Sequence, residues 1–247
     1  MKGGLRIRLV SNPLAICTAG FNVKKTTSAS LGTVTAGHCL ELSNSTGIDY
    51  WGHADSPTHA VNIGSELLET WYQNSDADVG LISYDVDTVA ALGYRNDLHI
   101  ADPSTTGTVT GEQSTTTQVF GDPVCRMGWG TYNASPTPKQ GRTCGTVGKN
   151  INVSRLSCEE GLTGNCRTIK HQWEVSFDSL PGDSGGPIYR QITPPQQFYR
   201  AYGTHVHSGS GAGAVGWYSP IDWGELEYYE TSGLQYTFTV CITQTCL

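Results

Sequence analysis

The sequence predicts an all-β protein, with two barrels or sandwiches in tandem and a short helix near the C-terminus. Three observations carry that expectation. The apolar and β-branched runs are short, and Gly, Pro, Ser or Asn interrupts them at strand-and-turn intervals. Gly, Thr and Ser are plentiful while Lys and Glu are sparse, which suits strands and turns better than helices. A Thr/Ser/Gly stretch of low apolar content, DPSTTGTVTGEQSTTTQ at 102–118, reads as a linker between β-rich halves of similar size. The expected division is residues 1–110 and 111–247.

The elements follow in chain order. LRIRLV at 5–10 alternates with period two, as a half-buried strand does. LGTVTAGHCL at 31–40, DVGLISYDV at 78–86, QVFGDPVCRMGWG at 118–130 and QYTFTVCI at 235–242 are further strand runs. WGELEYYE at 223–230 is the best helix candidate, expected to pack on the second half. No internal repeat is visible.

The net charge of −7 argues against nucleic acid or an anionic membrane as partner. No segment is long and apolar enough to span a bilayer. MKGGLRIRLV turns charged before a signal-peptide core can form, so a mature chain is expected. The eight cysteines are Cys17, Cys39, Cys125, Cys144, Cys158, Cys166, Cys241 and Cys246. None has C-x-x-C or zinc-finger spacing, so disulfides and an oxidising, extracellular compartment are expected. Eight cysteines allow about 105 connectivities, of which sequential pairing is the simplest. No EF-hand or H-E-x-x-H pattern is present, and no metal or other cofactor is expected. His53 and His59, in HADSPTH, read as solvated loop histidines.

Three motifs carry chemistry. A serine hydroxyl needs a base to take its proton, and the base needs a group to fix its tautomer. Ser184 stands among glycines in SLPGDSGGP. His38 sits in TAGHC, beside a cysteine that can tie its corner to Cys17. Asp78 opens the apolar run VGLI, where an unpaired carboxylate is costly and an imidazole N–H is a suitable partner. Asp76, two residues earlier, is the alternative acid.

TAGHC, the Asp-Val-Gly-Leu-Ile run and PGDSGGP, in that order, resemble the chymotrypsin-like serine proteases, most of all the secreted bacterial streptogrisin and α-lytic branch. The resemblance covers roughly residues 14–225. It implies two six-stranded antiparallel β-barrels with the site in the cleft between them. Ser184 would be nucleophile, His38 general base and then acid, and Asp78 its orienting partner. The N–H groups of Gly182 and Ser184 would form the oxyanion hole. Asp183 would pair with Arg126 in Val-Cys-Arg, and Cys125 would bond Cys144. The family also implies protein or peptide substrates, secretion, a monomer, and an N-terminal pro-region not present in these residues.

Specificity transfers less directly. Relatives usually carry a cysteine ahead of Pro-Gly-Asp-Ser-Gly-Gly, where this chain has Asp178 or Ser179. Cys158–Cys166 and Cys241–Cys246 look like this chain's own substitutes for the missing disulfide. The specificity strand should be Thr204–Ser210, with Ser208 at the start of the segment that pairs with substrate backbone. His207 occupies the place where glutamyl endopeptidases of this fold use a histidine, and Ser210 matches a serine some of them use. That implies glutamate before the cleaved bond. Counting six residues back from Ser184 instead puts Asp178 at the trypsin-type position for Arg or Lys. A non-catalytic binding module of the same fold is the other alternative.

Overall fold

Strand pairing, not strand content, decides how this chain is organised, because its short strands bury little until two sheets close over them. The computed structural model describes residues 3–246 except 11–15, 27, 29, 41–49, 54–60, 92–95, 100–105, 136–140, 159–164, 193–197, 209–214, 234–236 and 244–245. The N-terminal half supplies β1 (Arg6–Leu9), β2 (Ile16–Thr18), β3 (Asn22–Lys25), β4 (Leu31–Thr35), β5 (Tyr50–His53), β6 (Val61–Glu69) and β7 (Gly80–Tyr84). The turn-like helices α1 (Gly37–Leu40) and α2 (Val86–Ala91) follow β4 and β7. Next come β8 (Asp97–His99), β9 (Thr106–Glu112), β10 (Pro123–Met127), α3 (Trp129–Ala134), β11 (Arg142–Thr146), β12 (Val153–Cys158) and β13 (Cys166–Val175). The chain closes with β14 (Pro187–Gln191), β15 (Phe198–Ser208), β16 (Gly216–Pro220), α4 (Ile221–Thr231) and β17 (Phe238–Val240).

These strands form two curled sheets, as the two-barrel architecture requires. The first runs β17-β3-β4-β7-β6-β5-β1-β2 and the second β11-β10-β14-β15-β16-β13-β12. Both are antiparallel except where β9, carrying β8 on its other edge, lies parallel to β15. The sheets hold eight and nine strands, more than six each, because pieces as short as the three-residue β2, β8 and β17 count among them.

The interior shows how the two sheets become one body. One buried cluster joins Phe21, Val34, Val79 and Leu81 to Met127, Tyr189, Tyr199 and Ala201 across the seam. Helix α4 packs there too: Tyr228 meets Phe238 edge-on with centroids 5.5 Å apart, and a Cβ on Gly224 would lie 2.9 Å from Val79 Cγ2. The WGELEYYE helix therefore packs against both sheets rather than the second alone. The 102–118 stretch also departs from a plain linker. Residues 106–112 form β9, because Thr-Gly-Thr-Val-Thr-Gly-Glu places Val109, 2 % exposed, in the shared core.

Candidate active site

Helix α1 begins directly after β4, and the Cys17–Cys39 disulfide ties it to β2. His38 is thereby held on a rigid corner. Its Nδ1 lies 2.7 Å from Asp78 Oδ2, and its backbone N–H donates to Asp78 Oδ1 at 2.9 Å. Both side chains are buried. Gly37 makes the approach possible, since a Cβ there would stand 3.1 Å from Asp78 Oδ1. Asp76 faces elsewhere: its carboxylate meets Lys170 Nζ at 3.0 Å and His171 Nε2 at 3.5 Å. Of the two acids, Asp78 is the one on the imidazole.

The remaining partners of Asp78 come from the second sheet. Ser157 Oγ on β12 donates to Asp78 Oδ2 at 2.6 Å and lies 3.4 Å from His38 Nδ1. The Asp78 N–H donates to Ser219 Oγ at 2.9 Å, and Gln172 Nε2 donates to the same oxygen at 2.9 Å. Burial pushes the Asp78 carboxyl up. The His38 charge and the hydrogen bonds from His38 and Ser157 outweigh it, so the group stays below the ordinary carboxylate range.

Ser184 sits on a turn that both sheets grip. The Thr18 N–H donates to the Ser184 carbonyl at 2.8 Å, and Thr18 Oγ1 donates to the Gly182 carbonyl at 2.7 Å. On the other side the Gly185 N–H donates to His205 O, and the His205 N–H to Gly186 O, each at 2.8 Å. Ser184 Oγ donates to Val206 O at 3.3 Å. Gly182 has φ +92° and Gly185 φ +84°, where a side chain costs about 1–2 kcal/mol. At Gly185 space forbids one as well: a Cβ would lie 2.0 Å from Thr35 Oγ1 and 2.9 Å from Ala36 N, two residues before His38. Gly185→Ala is expected to destabilise by about 2–5 kcal/mol, strain and overpacking together. A thermal midpoint within about 2 °C of the wild type would contradict this packing.

Arg126 and Asp183 form the buried brace under this turn. Nη2 stands 2.8 Å from Asp183 Oδ2, with both side chains fully buried. Asp183 also accepts from Thr131 N at 2.8 Å, Thr131 Oγ1 at 2.5 Å and Leu180 N at 2.8 Å. Burial lowers the Arg126 pKa, and the Asp183 and Asp178 charges oppose that shift. The cysteines pair sequentially, as 17–39, 125–144, 158–166 and 241–246.

The specificity candidates are distributed unevenly. Asp178 is exposed. His207 keeps a solvent-exposed face near His38, and partial desolvation of its ring, then the His38 charge, lowers its pKa. Ser208 ends β15, but its side chain and all of Ser210 lie outside the described residues, as do the side chain of His53 and all of His59. His205, whose backbone pairs with Gly185 and Gly186, is fully buried, and neither ring nitrogen has a partner among the described residues. Burial, then Arg126, His207 and His38, lower its pKa well below the ordinary value.

Ser157, Ser219, Thr18 and the buried His205 are the site residues that sequence reading missed. Ser157, in Arg-Leu-Ser-Cys, has no local signature; its role exists only because β12 meets Asp78 across 79 positions of chain. His205 had one weak signal, its place two residues before His207 on the same strand.

No protein-family model matches the chain, and no curated protein does. Solved structures do. A glutamic-acid-specific serine protease, described as using a histidine triad in substrate binding, is 20 % identical, with a TM-score of 0.63 over 97 % of this chain and all of that one. An α-lytic protease homologue is 22 % identical, with a TM-score of 0.61 over 96 % of this chain and 98 % of its own. Thermobifida fusca protease A is 20 % identical, with a TM-score of 0.57 over 97 % and 98 %. At these identities the likeness is one of fold: the chain has the two-barrel fold of the chymotrypsin-like serine proteases, with His38, Asp78 and Ser184 at the seam of its sheets.

Proposed function

We propose that the protein is a secreted serine endopeptidase that cleaves peptide bonds through an acyl-enzyme. The observation that carries this is the buried His38–Asp78 pair, at 2.7 Å, on the same corner that holds the Ser184 main chain through Thr18. Asp78 accepts the Nδ1–H of His38, which leaves Nε2 as the basic nitrogen for the serine. In the resting arrangement the Ser184 hydroxyl donates to Val206 O. When substrate binds, the hydroxyl turns to His38 and attacks the carbonyl as His38 takes its proton. The N–H groups of Gly182 and Ser184 receive the oxyanion, a donor pair in which each member is worth about 3–4 kcal/mol. His38 then passes its proton to the leaving amine, and water repeats the sequence on the ester.

Glutamate before the cleaved bond is the preferred substrate residue. Support comes from His207 at the cleft beside His38, and from the glutamate-specific protease of the same fold. A histidine that receives a carboxylate forms a charge-assisted bond. The basic-substrate alternative requires Asp178 as an enclosed anion, whereas it is exposed and near the Arg126 charge.

One experiment tests both levels. Wild type and Ser184→Ala are incubated with a denatured proteome and the new termini are sequenced, while separate samples of each are treated with a labelled organophosphonate. The wild type should take the label and cut after glutamate, and the variant should do neither. Undiminished cutting by the variant would sink the mechanism. Cutting after Arg or Lys would sink only the glutamate preference.

A further inference from the structure

Nothing in the proposed chemistry uses the Cys158–Cys166 disulfide. Its cysteines are 8 positions apart, against 22 for Cys17–Cys39 and 19 for Cys125–Cys144, so of the three it constrains the unfolded chain least. Its place in the fold points to another role. It staples the end of the β12–β13 hairpin, where Cys158 stands opposite Cys166 and, one step in, Ser157 opposite Arg167. Among the described residues β12 is the last strand of its sheet and pairs with β13 alone. Its register also shifts between Val153 and Arg155. An edge strand with an interrupted ladder frays at its end unless something ties it down.

That end is where the hairpin of the second sheet meets the His38–Asp78 pair of the first. Ser157, 1 % exposed, donates through Oγ to Asp78 Oδ2 at 2.6 Å and lies 3.4 Å from His38 Nδ1. Its opposite number Arg167 carries its guanidinium over the Trp71 ring, 5.0 Å from the centroid. Trp71 in turn meets His38 edge-on, with centroids 6.4 Å apart. Both members of the last pair inside the staple therefore back the same corner.

Main-chain bonds anchor the other strand. The Asn74 N–H donates to Thr168 O at 2.7 Å, and the Lys170 N–H donates to Ser75 O at 2.8 Å. Both anchors hold β13, whereas Ser157 stands on β12. A group that orients a catalytic side chain must be kept within about 0.5 Å of its productive place. Ladder bonds at a fraying strand end do not ensure that, but a covalent link on the adjacent residue does.

We infer that the Cys158–Cys166 disulfide is a positioning device for catalysis, which acts by holding Ser157 on the Asp78 carboxylate. The inference rests on the proteolytic reading, and its test keeps the two apart. Four enzymes are compared on a quenched peptide and an activated ester: wild type, Ser157→Ala, the pair Cys158→Thr with Cys166→Thr, and all three changes together. Threonine suits both strands, so the hairpin retains its backbone preference. Removing the disulfide should lower kcat about three- to tenfold with KM within about twofold. In the Ser157→Ala background it should lower kcat no further, because both changes break the same contact. A disulfide that served stability alone would lower the thermal midpoint and leave the kcat of the folded enzyme unchanged. Should the threonine pair fail to fold, kcat is read on wild type after mild reduction at the exposed Cys158, with the opened cysteines identified by alkylation. An unchanged kcat without the disulfide would overturn the inference, and so would an equal fall in both backgrounds. A wild type that turns over neither peptide nor ester would overturn the proteolytic reading itself.

Discussion

Asp78→Asn should lower kcat by about 10⁴-fold while leaving the fold in place. An asparagine can occupy the same space, but its amide presents N–H where the carboxylate presented a lone pair. Two of the three bonds at the carboxylate, from His38 Nδ1 and from Ser157 Oγ, converge on Oδ2. Losing that acceptor favours the other imidazole tautomer and puts the proton on Nε2, where the serine needs a base. Ser157→Ala keeps the carboxylate and should cost far less, about tenfold, one hydrogen bond to a charged group. Activity of the wild type should fall in acid with a slope of one, as His38 becomes protonated. The Asp78 carboxyl is held below its ordinary value, so its contribution to stability is complete above the unfolded-state pKa and is lost as pH falls through the lower folded-state pKa. The acid loss of activity should therefore precede the loss of the Asp78 contribution to stability. Steady-state kinetics and circular dichroism over one pH series check both, and an Asp78→Asn enzyme within tenfold of wild type would contradict the role given to this carboxylate.

Arg126→Met should destabilise the protein by about 3–5 kcal/mol, because it strands the Asp183 carboxylate in the interior. Both partners are fully buried, so solvent cannot take over the lost charge. Leu180 and Thr131 still donate to Asp183, but they hold it through dipoles only. Activity should fall further than stability, since Asp183 lies between Gly182 and Ser184, whose N–H groups must stay aligned. Adding Asp183→Asn should recover part of the stability without the activity. Urea unfolding at neutral pH measures this, and a single variant within about 1 kcal/mol of wild type would refute the brace.

What could be read directly from the sequence was whatever neighbouring residues encode. Period-two alternation and frequent turn residues placed the all-β class. The glycines around Ser184 stood out in the sequence, and in the structure Gly182 and Gly185 have positive φ. Short spacings made sequential cysteine pairing the simplest choice, and the four disulfides follow it. WGELEYYE sits within α4.

The tertiary structure alone decided matters that depend on which strand meets which. Asp76 and Asp78 look alike in sequence; only the approach of α1 to one and of Lys170 to the other separates them. Ser157 reaches Asp78 because a hairpin of the second sheet crosses the seam. β17, the last strand of the chain, joins β3 near its start, and β9 turns part of a polar stretch into sheet. A residue's neighbours in the chain set its backbone preference. Its neighbours in space follow from how two curled sheets bury their apolar faces together, and no local pattern records that.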